Sequence, residues 1–207
     1  MGITAHVGLT GAMGAGKSTL LGMLAERGAV AFSADEAVHR AYRRRKILEA
    51  LAVRYGRGIL GRDGEVDRRR LAAKVAGEGE ELTWLEGLVH PLVLEELKEV
   101  VRRAPDGSVV VSEVPLLAET AGGEVFDLVV SVEAPYQVRA ERSGGRIDAA
   151  TFRGLDGRQA TADERSAVSD MIFLNEGGMS DLAAFADQVF RRALEVVRGK
   201  MREREEG

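Results

Sequence analysis

Five short apolar runs punctuate the chain: Ala5–Leu9, Ala29–Phe32, Val109–Val111, Leu128–Val132 and Met171–Leu174. Each is continuous or β-branched rather than alternating, the pattern of strands covered on both faces within a parallel sheet. Between them apolar residues recur at helical spacing. Thr19–Arg27 carries Leu20, Leu21 and Leu24 and stops at Gly28, a residue suited to a helix C-terminus. Leu182–Val197 has apolar positions 182, 185, 189, 190, 194 and 197, which predicts an amphipathic closing helix. The charged tail Lys200–Gly207 is expected to fray.

The second and third runs are separated by a long stretch with no convincing strand. It holds helical patterns over Arg40–Tyr55, Arg68–Val75 and Glu80–Arg103, broken at Gly56, Gly58 and Asp63-Gly64. This is too long for a simple crossover and predicts a helical subdomain over one end of the sheet. A second insertion, Arg139–Ser169, is polar and arginine-rich, with Gly144-Gly145 inside it, a composition suited to a mobile lid. The expected architecture is α/β: a five-stranded parallel sheet in three α/β/α layers. Residues 1–35 and 104–207 form the core, with the lid at about 139–169, and residues 36–103 form the helical insertion.

Composition narrows the class. The chain has 207 residues, 45% apolar and 30% charged, as in a soluble globular protein. No apolar run approaches the ~20 residues of a membrane-spanning helix, and no secretory apolar segment opens the chain. Cysteine is absent, which excludes disulfides and thiolate metal sites. A cytoplasmic location is the expectation, as a monomer or weak homo-oligomer with neither membrane nor nucleic acid as partner. The 29 basic and 33 acidic residues give a net charge of −4, against a general nucleic-acid coat. Arg43-Arg44-Arg45-Lys46 and Arg68-Arg69-Arg70 are local basic clusters, read as solvated helix faces or as contacts to an anionic substrate tail.

The chemistry begins at Gly11-Ala12-Met13-Gly14-Ala15-Gly16-Lys17-Ser18, followed by Thr19. This run fits G-x-x-x-x-G-K-[ST] and lies between a predicted strand and a predicted helix, the context that a phosphate-cradling loop requires. Its glycines let the backbone fold tightly around oxygens, so that N–H groups and the helix N-terminus face phosphates. Lys17 supplies a point charge for the β- and γ-phosphates, and the Ser18 hydroxyl is a Mg²⁺ ligand. A nucleoside triphosphate with Mg²⁺ is therefore the expected ligand.

Such a loop alone does not separate kinases from switches or motors. The guanine-reading Asn/Thr-Lys-x-Asp of GTPases is absent. Asp35 ends the second predicted strand and Glu113 the third, so both belong at the carboxyl edge where ligands of open α/β sheets bind. There Asp35 can accept a proton from an attacking hydroxyl or hold a metal-bound water, and it can equally cap a helix starting at Glu36. Arg142 and Arg146 are four apart, so they share a face if that stretch is helical, and they can bridge phosphoryl oxygens, or pair with Glu141 or Asp148. Phosphoryl transfer to a small molecule and a nucleotide-dependent switch both remain open on these residues.

The ordered motifs resemble those of the dephospho-coenzyme A kinases over nearly the whole chain. Leu9-Thr10-Gly11 enters the loop as in that family, and Ala34-Asp35 is similar to the second half of its Asp-Ala-Asp. Tyr55-Gly56 through Gly58-Ile59-Leu60, Asp63–Arg68, Val89-His90-Pro91-Leu92 and Glu113-Val114-Pro115-Leu116-Leu117-Ala118-Glu119 follow its motifs, as do Ala134-Pro135 with Arg142 and Arg146, and Gln159 to Asn175.

The resemblance implies transfer of the ATP γ-phosphoryl to the ribose 3′-hydroxyl of dephospho-coenzyme A. It implies Asp35 as base and Lys17, Arg142 and Arg146 around the transferring group. Metal ligands would be Ser18, Asp35 and Glu113, and Asn175 would join the loop at the nucleotide. Acceptor contacts would come from Thr10, Asp35, His90, Leu116 and Leu117. Trp84 reads as core or hinge packing rather than an adenine stack. Four departures stand out. Ser33 replaces the first aspartate, Ala12 a usual glycine, Ala118 a frequent Phe, and Leu155 a lid arginine whose place Arg153 or Arg158 would take.

Overall fold

The computed structural model describes residues 2–75, 79–114, 126–144 and 147–206. The chain divides into two compact units, Met1–Phe32 with Val100–Gly207, and Ser33–Glu99.

The first unit is built on a five-stranded parallel sheet. Its strands are β1 (Ala5–Gly11), β2 (Val30–Ser33), β3 (Val109–Glu113), β4 (Leu128–Glu133) and β5 (Met171–Leu174), in the order β2-β3-β1-β4-β5. All five expected strands are present, three of them extended by one or two residues. Central β1 pairs Val7 with Val111 on one side and with Leu128 on the other.

That register separates two chemically distinct sheet faces. Ala5, Val7, Leu9, Val109, Val111, Leu128, Val130 and Val132 share one face. They pack in one cluster with Leu20 and Leu24 of α1 (Lys17–Glu26) and with Leu182, Phe185 and Val189 of α9 (Met179–Glu206). The opposite face carries His6, Thr10, Ser112, Ser131 and Glu133, every one buried. Buried polar groups need partners, and here they find them. His6 Nε2 meets Ser112 Oγ at 2.9 Å, and Ser131 donates to Glu133 at 2.6 Å.

Three helices follow β4 along the chain: α6 (Tyr136–Ser143), α7 (Ala149–Asp156) and α8 (Ala162–Ala167), with α8 against β1 and β4. Helix α8 opens with a capping box in which Thr161 and Glu164 exchange hydrogen bonds.

The expected fraying of the tail from Lys200 does not occur: it stays helical to Glu206. Lys200 Nζ holds the Asp127 carboxylate at 2.6 Å and the Thr4 carbonyl at 3.1 Å, and Arg204 reaches Asp106 at 3.8 Å. These charges anchor the last turns to the strand ends.

The second unit is helical: α2 (Ala34–Tyr42), α3 (Arg45–Tyr55), α4 (Arg68–Val75) and most of α5 (Gly79–Arg103). The stretch read as one helical pattern over Arg40–Tyr55 is two helices, parted at Arg43-Arg44. Its own core gathers Ala41, Ile47, Leu51, Ile59, Leu71, Leu85 and Val89. Trp84 packs on that core, edge-on to Tyr55 and under the Arg54 guanidinium at 4.5 Å. The basic clusters are partly neutralised locally: Arg43 pairs with Glu65, Arg45 with Glu49 and Arg70 with Asp67.

Candidate active site

The loop from Gly11 to Ser18 joins β1 to α1 and takes left-handed turns at Gly11, Gly14 and Gly16, with φ of 141°, 78° and 112°. A Cβ at Gly11 would lie 2.1 Å from the Val132 carbonyl oxygen, so only glycine lets β1 leave the sheet here. The left-handed turns of the loop fall on glycines, and the alanine at position 12 is buried in the main core.

Carbonyls of the loop are engaged by side chains from within it and from distant elements. Lys17 Nζ donates to the Gly11 and Ala12 carbonyls at 2.9 and 3.0 Å. Arg142 of α6 reaches the Gly14 and Ala15 carbonyls at 3.4 and 3.3 Å. Asn175, buried just beyond β5, donates to Ala15 at 2.8 Å and itself accepts from Arg142 at 3.3 Å. Because a trans peptide points its N–H opposite to its C=O, the Ala15 carbonyl, held by Arg142 and Asn175, leaves the Gly16 N–H on the other side of its plane. Helix α1 has no side-chain N-cap, and the N-terminus of a helix suits an anion.

Ser18 lies exposed at the start of α1, and its hydroxyl donates to Glu113 at 3.1 Å. Glu113 ends β3 on the sheet face that α1 covers and is 4% exposed. A hydroxyl and a carboxylate this close at a phosphate loop match Mg²⁺, which takes few protein oxygens and completes its shell with phosphate oxygens and water. No cluster of three His, Cys, Asp or Glu side chains occurs among the described residues, so a cage built from protein alone has no counterpart.

The profile of one family, dephospho-CoA kinase, matches residues 5–181. The chain belongs to the dephospho-CoA kinase family. It is 40% identical over 191 residues to the dephospho-CoA kinase of Methylococcus capsulatus, covering 90% of this chain and 95% of that one. It is 38% identical over 193 residues to that of Mycolicibacterium paratuberculosis, where 91% of this chain spans 47% of the longer relative. In three dimensions it is similar to the crystal structure of TT1252 from Thermus thermophilus, with TM-score 0.78, 28% identity, and 91% and 97% of the two chains covered. This places it among the transferases.

The first unit therefore gathers Gly11–Ser18, Glu113, Arg142 and Asn175 of the expected dephospho-CoA kinase residues. Thr19 is exposed in the first turn of α1, whereas Thr10 has no exposed surface within β1. In the second unit, Asp35 is exposed in the first turn of α2. It does not cap that helix. The helix starts at Ala34, two residues earlier than expected, and Ser33 is the cap, accepting from the Glu36 amide at 3.4 Å. Ser33, the departure from the family pattern, thus has a structural task. His90 is exposed on α5. Leu116, Leu117, Ala118 and Arg146 lie outside the described residues. Leu155, Arg153 and Arg158 are all exposed on or just after α7.

Sequence reasoning gave no role to four residues that hold this site together. Arg139 is buried, donating to the Ala134 carbonyl at 3.0 Å and paired with Asp156. Its guanidinium lies 5.7 Å from the Tyr136 ring and 5.9 Å from the Phe152 ring. Arg165 binds both oxygens of Glu133 at 2.6 Å. Two arginines of the polar segment are thus enclosed in ion pairs. No local signal marks them, since each partner is brought in from a separate element.

Proposed function

We propose that the chain transfers the γ-phosphoryl group of ATP to the ribose 3′-hydroxyl of dephospho-coenzyme A, yielding coenzyme A and ADP. The observation that carries this reading is the Gly11–Ser18 loop with its carbonyls tied back, in a chain of this family. A glycine-rich loop leading into a helix N-terminus, with one lysine, suits a triphosphate, whose charge sits on terminal oxygens.

On this reading Lys17 leaves its resting contacts with Gly11 and Ala12 to meet the β- and γ-phosphates. Ser18 and Glu113 would hold Mg²⁺, which would neutralise charge on the phosphates of the nucleotide. Arg142 supplies a guanidinium beside the loop for charge that develops during transfer, and Arg146 is proposed as its companion. Asp35 accepts the proton of the attacking hydroxyl, so that the oxygen is nucleophilic as its bond to phosphorus forms. The acceptor contacts proposed for Thr10, His90, Leu116 and Leu117 rest on the resemblance of their motifs. The setting is the cytoplasm, and no helix among the described residues is long and apolar enough to cross a membrane.

The test is a coupled assay of ADP release with purified protein, ATP and Mg²⁺, with and without dephospho-coenzyme A. Release that depends on the acceptor, with coenzyme A as product, supports the proposal. Slow hydrolysis indifferent to the acceptor would overturn it.

A further inference from the structure

Met13, at the crest of the loop, is gripped at both of its backbone polar groups by residues outside the loop. Its N–H donates to Gln159 Oε1 at 2.8 Å, across a sequence separation of 146 residues. Its carbonyl accepts from Arg139 Nη1 at 3.4 Å. Because Met13 N–H can only donate, the Gln159 amide must present its oxygen here. These two groups belong to successive peptide planes, Ala12–Met13 and Met13–Gly14. Holding the Met13 carbonyl outward turns the Gly14 N–H to the opposite side of its plane, toward the loop interior.

Gln159 and Arg139 are not independent. Arg139 pairs with the Asp156 carboxylate at the end of α7, and Gln159 N–H donates to the Asp156 carbonyl at 3.2 Å. One turn, Asp156–Gln159, therefore supplies one clamp directly and braces the other. The backbone of α6 closes the remaining space, since a Cβ at Gly14 would lie 2.8 Å from the Arg139 carbonyl oxygen. A glycine-rich loop is conformationally permissive. Without outside bonds, its peptide planes would rotate and part of any ligand's binding free energy would go into ordering them.

We infer that Gln159 is a positioning residue for the donor site: it holds the Ala12–Met13 peptide so that the loop is preorganised for the phosphates of ATP or ADP. This rests on the donor-binding reading above. Gln159 touches neither acceptor nor reacting atoms in this role.

Gln159→Met keeps length and removes the acceptor oxygen. Calorimetric titration with ADP reads affinity and stoichiometry separately, so a partly folded preparation still reports the affinity of its folded molecules. The dissociation constant for ADP and the KM for ATP should each rise about tenfold, as expected for one lost hydrogen bond. The KM for dephospho-coenzyme A should stay at the wild-type value. An unchanged ADP affinity, or an equal rise in both KM values, would overturn the inference. Wild-type protein that fails to bind ADP would instead overturn the donor-site reading itself.

Discussion

Arg165 and Glu133 meet through two parallel hydrogen bonds of 2.6 Å, with side chains only 5% and 11% exposed. The pair closes the polar face of the sheet, where Ser131 also donates to Glu133. Removing one charge leaves its partner buried and uncompensated, which costs about 3–5 kcal/mol. Arg165→Met should therefore lower unfolding stability by that amount in urea titration. The double variant Arg165→Met with Glu133→Gln, which removes both charges, should recover most of the loss.

Asp35 stands in the first turn of α2 but leaves the capping to Ser33. Asp35→Asn should consequently leave the helix intact, which circular dichroism and melting temperature will report. If the carboxylate is the base, turnover should fall at least ~10²-fold while ADP affinity stays at the wild-type value. Turnover close to wild type would remove Asp35 from the chemistry.

Ala12 occupies a position where the family pattern has glycine, yet its methyl is 1% exposed and belongs to the main core. Restoring glycine removes buried apolar surface and frees the unfolded chain. Ala12→Gly should thus lower stability by about 1–2 kcal/mol in thermal unfolding. The KM for ATP should not change, because the left-handed turns of the loop lie at Gly11, Gly14 and Gly16.

In the helical unit, Glu81 accepts hydrogen bonds from Arg54 and Tyr55. The Arg54 guanidinium first, and the Tyr55 hydroxyl second, hold its carboxyl down at about 2. Its folded-state value lies below its unfolded one, about 4.3. The stabilisation is therefore present above that unfolded value and lost as pH falls toward about 2. Burial, followed by the bond to Glu81, pushes the Tyr55 phenol up to about 12. That contribution is present below the ordinary tyrosine value of about 10 and lost as pH rises through about 12. Glu81→Gln should melt below wild type at pH 6 and approach it as both are taken to acid. Tyr55→Phe should show its deficit at neutral pH and lose it in strong alkali.

The hydrophobic pattern determined where the strands lie, with the central β1, β3 and β4 buried throughout and the edge strands β2 and β5 partly exposed. Glycine spacing likewise determined the loop: two of its left-handed turns fall on Gly11 and Gly16, which the motif itself supplies, and the third on Gly14. Those properties are local, resting on neighbours within a few residues. Only the tertiary structure decided that the continuous apolar strands hide a polar face, since the register of β1 against β3 and β4 aligns His6, Ser112 and Ser131 across the sheet. It alone joined Gln159 to Met13 across 146 residues and Arg165 to Glu133 across 32. Such pairs depend on where the crossovers return the chain, and nothing in the periodicity of either segment encodes that. The triphosphate loop was legible as a motif; the side chains that hold its peptide planes in place come from α6, from the turn after α7 and from the residue after β5, all far from the loop in sequence.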